Sequence, residues 1–136
     1  MDIRKIDETI SVSPQIVQAD LVDLVAMGFR SVVCNRPDGE EADQPDHDEM
    51  AQAAAEAGLE FRFLPVYPGQ MTAEIVAGFA AATDEIPGPV LAYCRSGTRS
   101  ATVWALSQSG RQSKDDILMA ARDAGYDLGG IAGVLE

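Results

Sequence analysis

Along this chain the apolar residues change period repeatedly, from every second residue to every third or fourth and back, with glycine or proline at nearly every change. Residues 3–6 and 9–12 alternate with β-branched side chains and read as two short strands. Leu21, Leu24 and Val25 then fall at helical spacing, with Gly28 behind them as a C-cap, so a helix is expected over about 19–27. Residues 31–35 (SVVCN) form a strand that Arg36-Pro37-Asp38-Gly39 stops. An alanine-rich helix over about 46–57 ends at Gly58, residues 60–66 (EFRFLPV) alternate as a strand, and Tyr67-Pro68-Gly69-Gln70 make a loop. A helix over 72–83 is broken by Pro87-Gly88-Pro89, and residues 90–93 (VLAY) are the continuous apolar run of a central strand. A helix carrying Trp104 and Leu106 is expected to begin near Ser100. Ser113 caps one more, with Asp115 and Asp116 at its positive end. Such alternation predicts one α/β domain over residues 1–136, with a largely parallel sheet, helices on both faces, and a ligand site outside the strands' carboxyl ends.

The 136 residues are 46% hydrophobic and 24% charged, a folded composition with no repeat, linker or low-complexity tract. Size scaling gives roughly 6,900 Å² of folded surface, with about two-thirds of the chain's surface buried, so a core forms without staples. Ten basic residues against 22 acidic ones leave a net charge of −12, which argues against nucleic acid or an anionic membrane as partner. Any anion must therefore be drawn by local geometry. No apolar stretch approaches the ~18 residues of a membrane span, and MDIRKIDETI lacks a signal peptide's apolar run, so a cytoplasmic location is expected. Two cysteines without a CxxC and a single histidine, His47, exclude a zinc site or a disulfide framework, and no metal or cofactor is expected.

The residues that carry chemistry lie between the central strand and the helix after it. Cys94 stands at the strand's carboxyl end, and Arg95, Ser96, Gly97 and Thr98 form the turn leading to Arg99 and Ser100. A turn that feeds a helix N-terminus directs backbone N–H groups inward, which makes an anion-binding cradle. The partial positive charge of the helix end, together with Arg95 and Arg99, favours Cys94 as a thiolate nucleophile. A structural cysteine would leave those two arginines and the glycine unexplained.

The segment YCRSGTRSA resembles the active-site loop of single-domain rhodanese sulfurtransferases and, less closely, the signature of cysteine-dependent phosphatases. Over nearly its whole length the chain is more similar to the phosphatase-like domain of beta-lactamase-hydrolase-like proteins. That sulfur-transferase-like family is sometimes fused to persulfide dioxygenases. Asn35-Arg36-Pro37-Asp38-Gly39-Glu40, Pro65-Val66-Tyr67-Pro68-Gly69-Gln70 and residues 93–101 carry this likeness. The resemblance implies a cysteine-phosphatase-like fold with Cys94 as nucleophile and Arg99 beside it.

Three departures from tyrosine phosphatases favour sulfur over phosphorus. Four residues rather than five separate Cys94 from Arg99, Tyr93 stands where phosphatases usually carry histidine, and no carboxylate occupies the Tyr67 to Gln70 segment where dual-specificity phosphatases commonly keep their acid. Without that acid an alcohol or phenol leaving group departs roughly 10²- to 10⁴-fold more slowly. The expected function is therefore a sulfurtransferase that moves a sulfane sulfur through a Cys94 persulfide. Its donor is a small sulfur-containing anion or a persulfide, its acceptor is a thiol, and a persulfide dioxygenase is a candidate partner. A phosphatase working through a Cys94 phosphocysteine is the alternative, and a non-catalytic persulfide-sensing or docking module the third reading.

Other residues carry paired readings. Arg36 is a candidate for substrate-anion binding or for an ion pair with its acidic neighbours, and Asp38 for a pocket residue or a turn residue. Tyr67 either walls the pocket or packs on a helix, and Ser100 either supports the thiolate or helps cap the helix. Cys34 is a candidate resolving cysteine for Cys94 or a small buried hydrophobe, because the phosphatase-like connectivity makes their strands neighbours.

Overall fold

The computed structural model describes residues 1–136. Its elements run β1 (Arg4–Lys5), β2 (Ile10–Ser13), α1 (Asp20–Ala26), β3 (Ser31–Cys34), α2 (His47–Ala57), β4 (Glu60–Phe63), α3 (Ala73–Glu85), β5 (Val90–Tyr93), α4 (Thr98–Ser107) and α5 (Lys114–Asp123), followed by a 3-10 turn at Gly129–Val134. The five strands lie in the order β1-β2-β5-β3-β4, parallel except for the β1–β2 edge pair. The expected largely parallel sheet is present, and the accessible surface is 6890 Å².

Strand pleating divides the core in two. Val12, Val33 and Ala92 face Phe79, Trp104 and Ile117 of α3, α4 and α5. The alternate residues Val32, Cys34, Leu91 and Tyr93 face Leu21, Leu24, Met50 and Ala54 of α1 and α2. Strand β5 is buried at every position, which explains its unbroken apolar sequence.

The helix starts follow from side-chain caps. Asp46 accepts from the Glu49 N–H, Thr72 from Ile75 and Ser113 from Asp116, so α2, α3 and α5 each begin one residue after the cap. Several boundaries differ from the sequence expectation. Helix α3 continues to Glu85 because it is Ile86, the residue before Pro87, that must turn extended (φ −84°, ψ 152°). Strand β4 stops at Phe63, since Pro65 has no N–H to extend the ladder, although Leu64 and Val66 still donate to the Cys34 and Asn35 carbonyls. Helix α4 begins at Thr98, two residues before Ser100, directly behind a left-handed Gly97 (φ +92°).

No helix is long and apolar enough to cross a membrane. The carboxyl ends of β2, β5 and β3 lie side by side, and the chain leaves them through Pro14-Gln15, through Cys94 and its turn, and through Asn35-Arg36.

Candidate active site

Cys94 is fully buried at the end of the sheet's central strand. Its N–H donates to the Ser13 carbonyl at 3.4 Å, and the N–H of Gln15 donates to the Arg95 carbonyl at 3.2 Å, so the β2 exit laces the turn to the sheet. The Gly97 N–H donates to Cys94 Sγ at 3.1 Å, which gives the sulfur a fixed backbone donor in the line of α4. Ser96 Oγ donates to Thr98 Oγ1 and accepts from the Thr98 N–H, closing the turn on its solvent side.

Arg99 reaches across the sheet edge. Its Nη1 and Nη2 donate to the two carboxylate oxygens of Glu40 at 2.8 and 2.7 Å, and Nη1 also donates to the Val66 carbonyl at 2.9 Å. Glu40 accepts a third bond from Arg36 Nε at 3.0 Å. Arg36, only 3% exposed, gives Nη1 to Gln15 and Nη2 to Glu41, and Glu41 in turn pairs with Arg95. Three guanidinium groups thus share two carboxylates beside the Cys94 turn. Arg99 foremost, and Arg36 after it, hold the Glu40 carboxyl below the usual range against the opposing effect of burial. Glu40 raises the Arg99 value in return, with a smaller contribution from Cys94.

The structure brings Cys94, Arg95, Ser96, Gly97, Thr98, Arg99 and Arg36 together and resolves several paired readings. Arg36 takes the ion-pair role rather than an open anion-binding one. Arg95 is solvent-facing and held through Glu41. Asp38 lies in the turn before Gly39, and its carboxylate accepts from the His47 N–H and pairs with the His47 ring, which stacks on Phe63 at 3.8 Å between centroids. Tyr67 is half exposed. Ser100 is buried inside the first turn of α4 and donates its hydroxyl proton to Asn35 Oδ1 at 2.8 Å, not to the thiolate. That amide's orientation is fixed because Asn35 Nδ2 donates to the Leu64 carbonyl. Ser100 therefore ties α4 to the ends of β3 and β4.

Both cysteines are free thiols. Cys34 registers with Tyr93, one residue short of Cys94, and its thiol donates to the Arg36 carbonyl at 3.3 Å. Burial pushes the Cys34 thiol up to about 11. Its position on the α1–α2 side of the sheet fits the packing reading, and a crosslink to Cys94 would need that thiol to leave its carbonyl partner. Gln15 and Tyr126 had no sequence signal. Gln15 follows a strand without any charge pattern, and Tyr126, which donates to the Ser96 carbonyl, comes from beyond α5.

Comparison with known proteins agrees with this architecture. The family model for the phosphatase-like domain of beta-lactamase hydrolase-like protein matches residues 2–111. The beta-lactamase hydrolase-like protein of Xylella fastidiosa (strain Temecula1 / ATCC 700964) is 36% identical over 131 residues, covering 95% of this chain and 30% of the relative. The chain thus spans less than a third of that relative's length. The crystal structure of a candidate phosphatase from Neisseria meningitidis Z2491 superposes with a TM-score of 0.87 at 34% identity, covering 100% of this chain and 97% of the other. The core catalytic domain of a PP-IP phosphatase from S. cerevisiae, in complex with citrate, has a TM-score of 0.70 over 100% and 86% of the two chains, and at 11% identity it shows the shared fold alone.

Proposed function

This chain belongs to the phosphatase-like domain family of beta-lactamase hydrolase-like proteins, and from that premise we propose that it is a cysteine-dependent sulfurtransferase working through a Cys94 persulfide. In the first step the Cys94 thiolate attacks the outer sulfur of a donor such as thiosulfate. A Cys94–S bond forms, the donor's sulfur–sulfur bond breaks, and sulfite leaves with the bonding electron pair. An acceptor thiolate then attacks the outer sulfur of Cys94–S–S⁻, which yields an acceptor persulfide and regenerates the Cys94 thiolate. No oxidant, metal or proton donor enters the balance. A persulfide dioxygenase is the class of enzyme that would consume such a product.

One observation carries the choice of sulfur. In the loop after β3, Glu40 is locked between Arg99 and Arg36 and held anionic, Glu41 pairs with Arg36 and Arg95, and Asp38 is turned to His47. Glu40 is thus no proton donor, and the Tyr67 to Gln70 segment carries no carboxylate. Phosphate-ester cleavage needs such a group when the leaving alkoxide is poor, whereas sulfite or a thiolate departs unaided. Arg99 and Arg95 are then the groups that meet donor charge. The test is mass spectrometry after incubation with thiosulfate or glutathione persulfide: one added sulfur on the Cys94 peptide is expected, absent in Cys94→Ser. Wild-type protein that never gains sulfur and shows no transfer to a thiol refutes the reading.

A phosphatase is the second reading, and a specific observation favours it. Glu40 and Val66 use only one edge of the Arg99 guanidinium, so its Nε–H and one Nη2–H remain as a fork of the kind that clamps oxyanions. The names of the family and of the Neisseria structure point the same way. Hydrolysis of an alkyl phosphate at neutral pH, lost in Cys94→Ser, would put this reading first.

A further inference from the structure

The peptide unit that serves the Cys94 sulfur is gripped at both ends. In the trans Ser96–Gly97 bond the carbonyl and the N–H point in opposite directions within one plane. The N–H end meets Cys94 Sγ at 3.1 Å, and the carbonyl end accepts from the Tyr126 hydroxyl at 3.2 Å. We propose that Tyr126 is a positioning residue for the nucleophile: by holding the Ser96 carbonyl it fixes the plane whose other end points a donor at Cys94.

Tyr126 lies outside the family-matched residues 2–111, yet its place is rigidly determined. Helix α5 ends in a left-handed Gly125 (φ +101°), with the Gly125 N–H on the Arg122 carbonyl and the Tyr126 N–H on that of Ala121, each at 2.9 Å. That paired closure is a Schellman motif, and it delivers Tyr126 at the residue after the glycine. The fit over the loop is close, since a side-chain carbon at Gly97 would collide with the Tyr126 hydroxyl. Gly97 is thus required twice, for its left-handed backbone and for the room above it. Burial first, and the nearby Cys94 second, push the Tyr126 phenol up, so it remains a donor throughout the neutral range. The other charged and titratable groups around the loop are Arg36, Arg95, Arg99, Glu40 and Glu41, Cys34 on β3, and Arg4 of β1 beside Gly125 with its partner Asp2. Tyr126→Phe changes none of them.

The inference rests on Cys94 being the nucleophile and not on which group it transfers. It is tested by alkylating the folded protein with iodoacetamide across pH and quantifying the Cys94 peptide. Loss of one hydrogen bond held at the long end of the normal range predicts that Tyr126→Phe labels about two- to fivefold more slowly near neutral pH. The two curves should converge at alkaline pH, where the thiol ionises in both. The Gly97 amide proton, followed by NMR, should also lose part of its coupling to the ionisation of Cys94. Superimposable curves with an unmoved Gly97 resonance overturn the proposal, as does a fall of equal size at every pH, which would report access rather than ionisation. A wild type that transfers no sulfur while Tyr126→Phe shifts the labelling curve would refute the sulfurtransferase reading and leave this one standing.

Discussion

Replacing Glu40 with glutamine probes the carboxylate that orders the site. Glutamine keeps the volume but turns one acceptor oxygen into an N–H₂ group facing guanidinium donors, so at least one of the two Arg99 bonds is lost, and Arg99 and Arg36 lose a shared counter-charge. The side chains are 20% exposed for Glu40, 18% for Arg99 and 3% for Arg36, which places the pair between surface bridges worth about 1 kcal/mol or less and buried ones costing about 3–5 kcal/mol to break. A loss of about 2–3 kcal/mol follows. With about 2.1 cal/mol/K of unfolding entropy per residue, the melting temperature should fall by about 7–10 °C. Acid provides the control. Glu40 is held below its ordinary value of 4.5, so its contribution is fully present above that value and is lost as pH falls through the folded-state value. Glutamine does not titrate, so the gap between wild type and Glu40→Gln, full at neutral pH, should close progressively below about pH 4.5. Calorimetry at a series of pH values reads both effects. Equal melting temperatures at neutral pH, or a gap that stays constant into acid, would refute the assignment of Glu40 as the counter-charge.

Thiosulfate should raise the melting temperature more than chloride does at the same ionic strength, and Arg99→Ala should erase that difference; equal shifts in both proteins would remove Arg99 as an anion contact. Ser100→Ala leaves Asn35 Oδ1 buried without its donor and should cost about 1–3 kcal/mol by chemical denaturation, whereas an unchanged midpoint would mean that the bond is replaced by another donor. Cys34, with its thiol pushed up to about 11, should resist iodoacetamide in the folded protein at neutral pH and stay out of any crosslink with Cys94 after mild peroxide; a Cys34–Cys94 peptide on non-reducing mapping would restore its resolving role.

What the sequence made legible divides along physical lines. The alternation of helix and strand, the central position of VLAY and the strand–turn–helix around Cys94 are local patterns, and period and turn chemistry suffice to read them. Asp46, Thr72 and Ser113 made the helix starts local as well. The partners of Arg95 and Arg99 were less accessible, because Glu40 lies far from Arg99 in sequence and meets it only when β3 and β5 become neighbours. Ser100 shows the same limit. Its position beside Arg99 suggested the sulfur as partner, yet a helix that begins at Thr98 turns residue 100 toward Asn35. Tyr126 was illegible for a stronger reason: its role depends on how α5 ends, and nothing in its neighbours' composition links it to a loop so far upstream.

The strand that carries Cys94 has partners on both sides and is buried throughout, whereas Arg99 is held by Glu40 from the loop after β3 and the Ser96 carbonyl by Tyr126 from the turn after α5. Two separate rates of motion follow from that division. Amides of Val90–Tyr93 can exchange their protons only when the sheet itself comes apart, while the Glu40 loop, held to the core mainly by side-chain ion pairs, can lift in a local opening of much lower free energy. For Cys94, fully buried, to react as proposed, the covering segments must open, while the strand that carries it need not move at all.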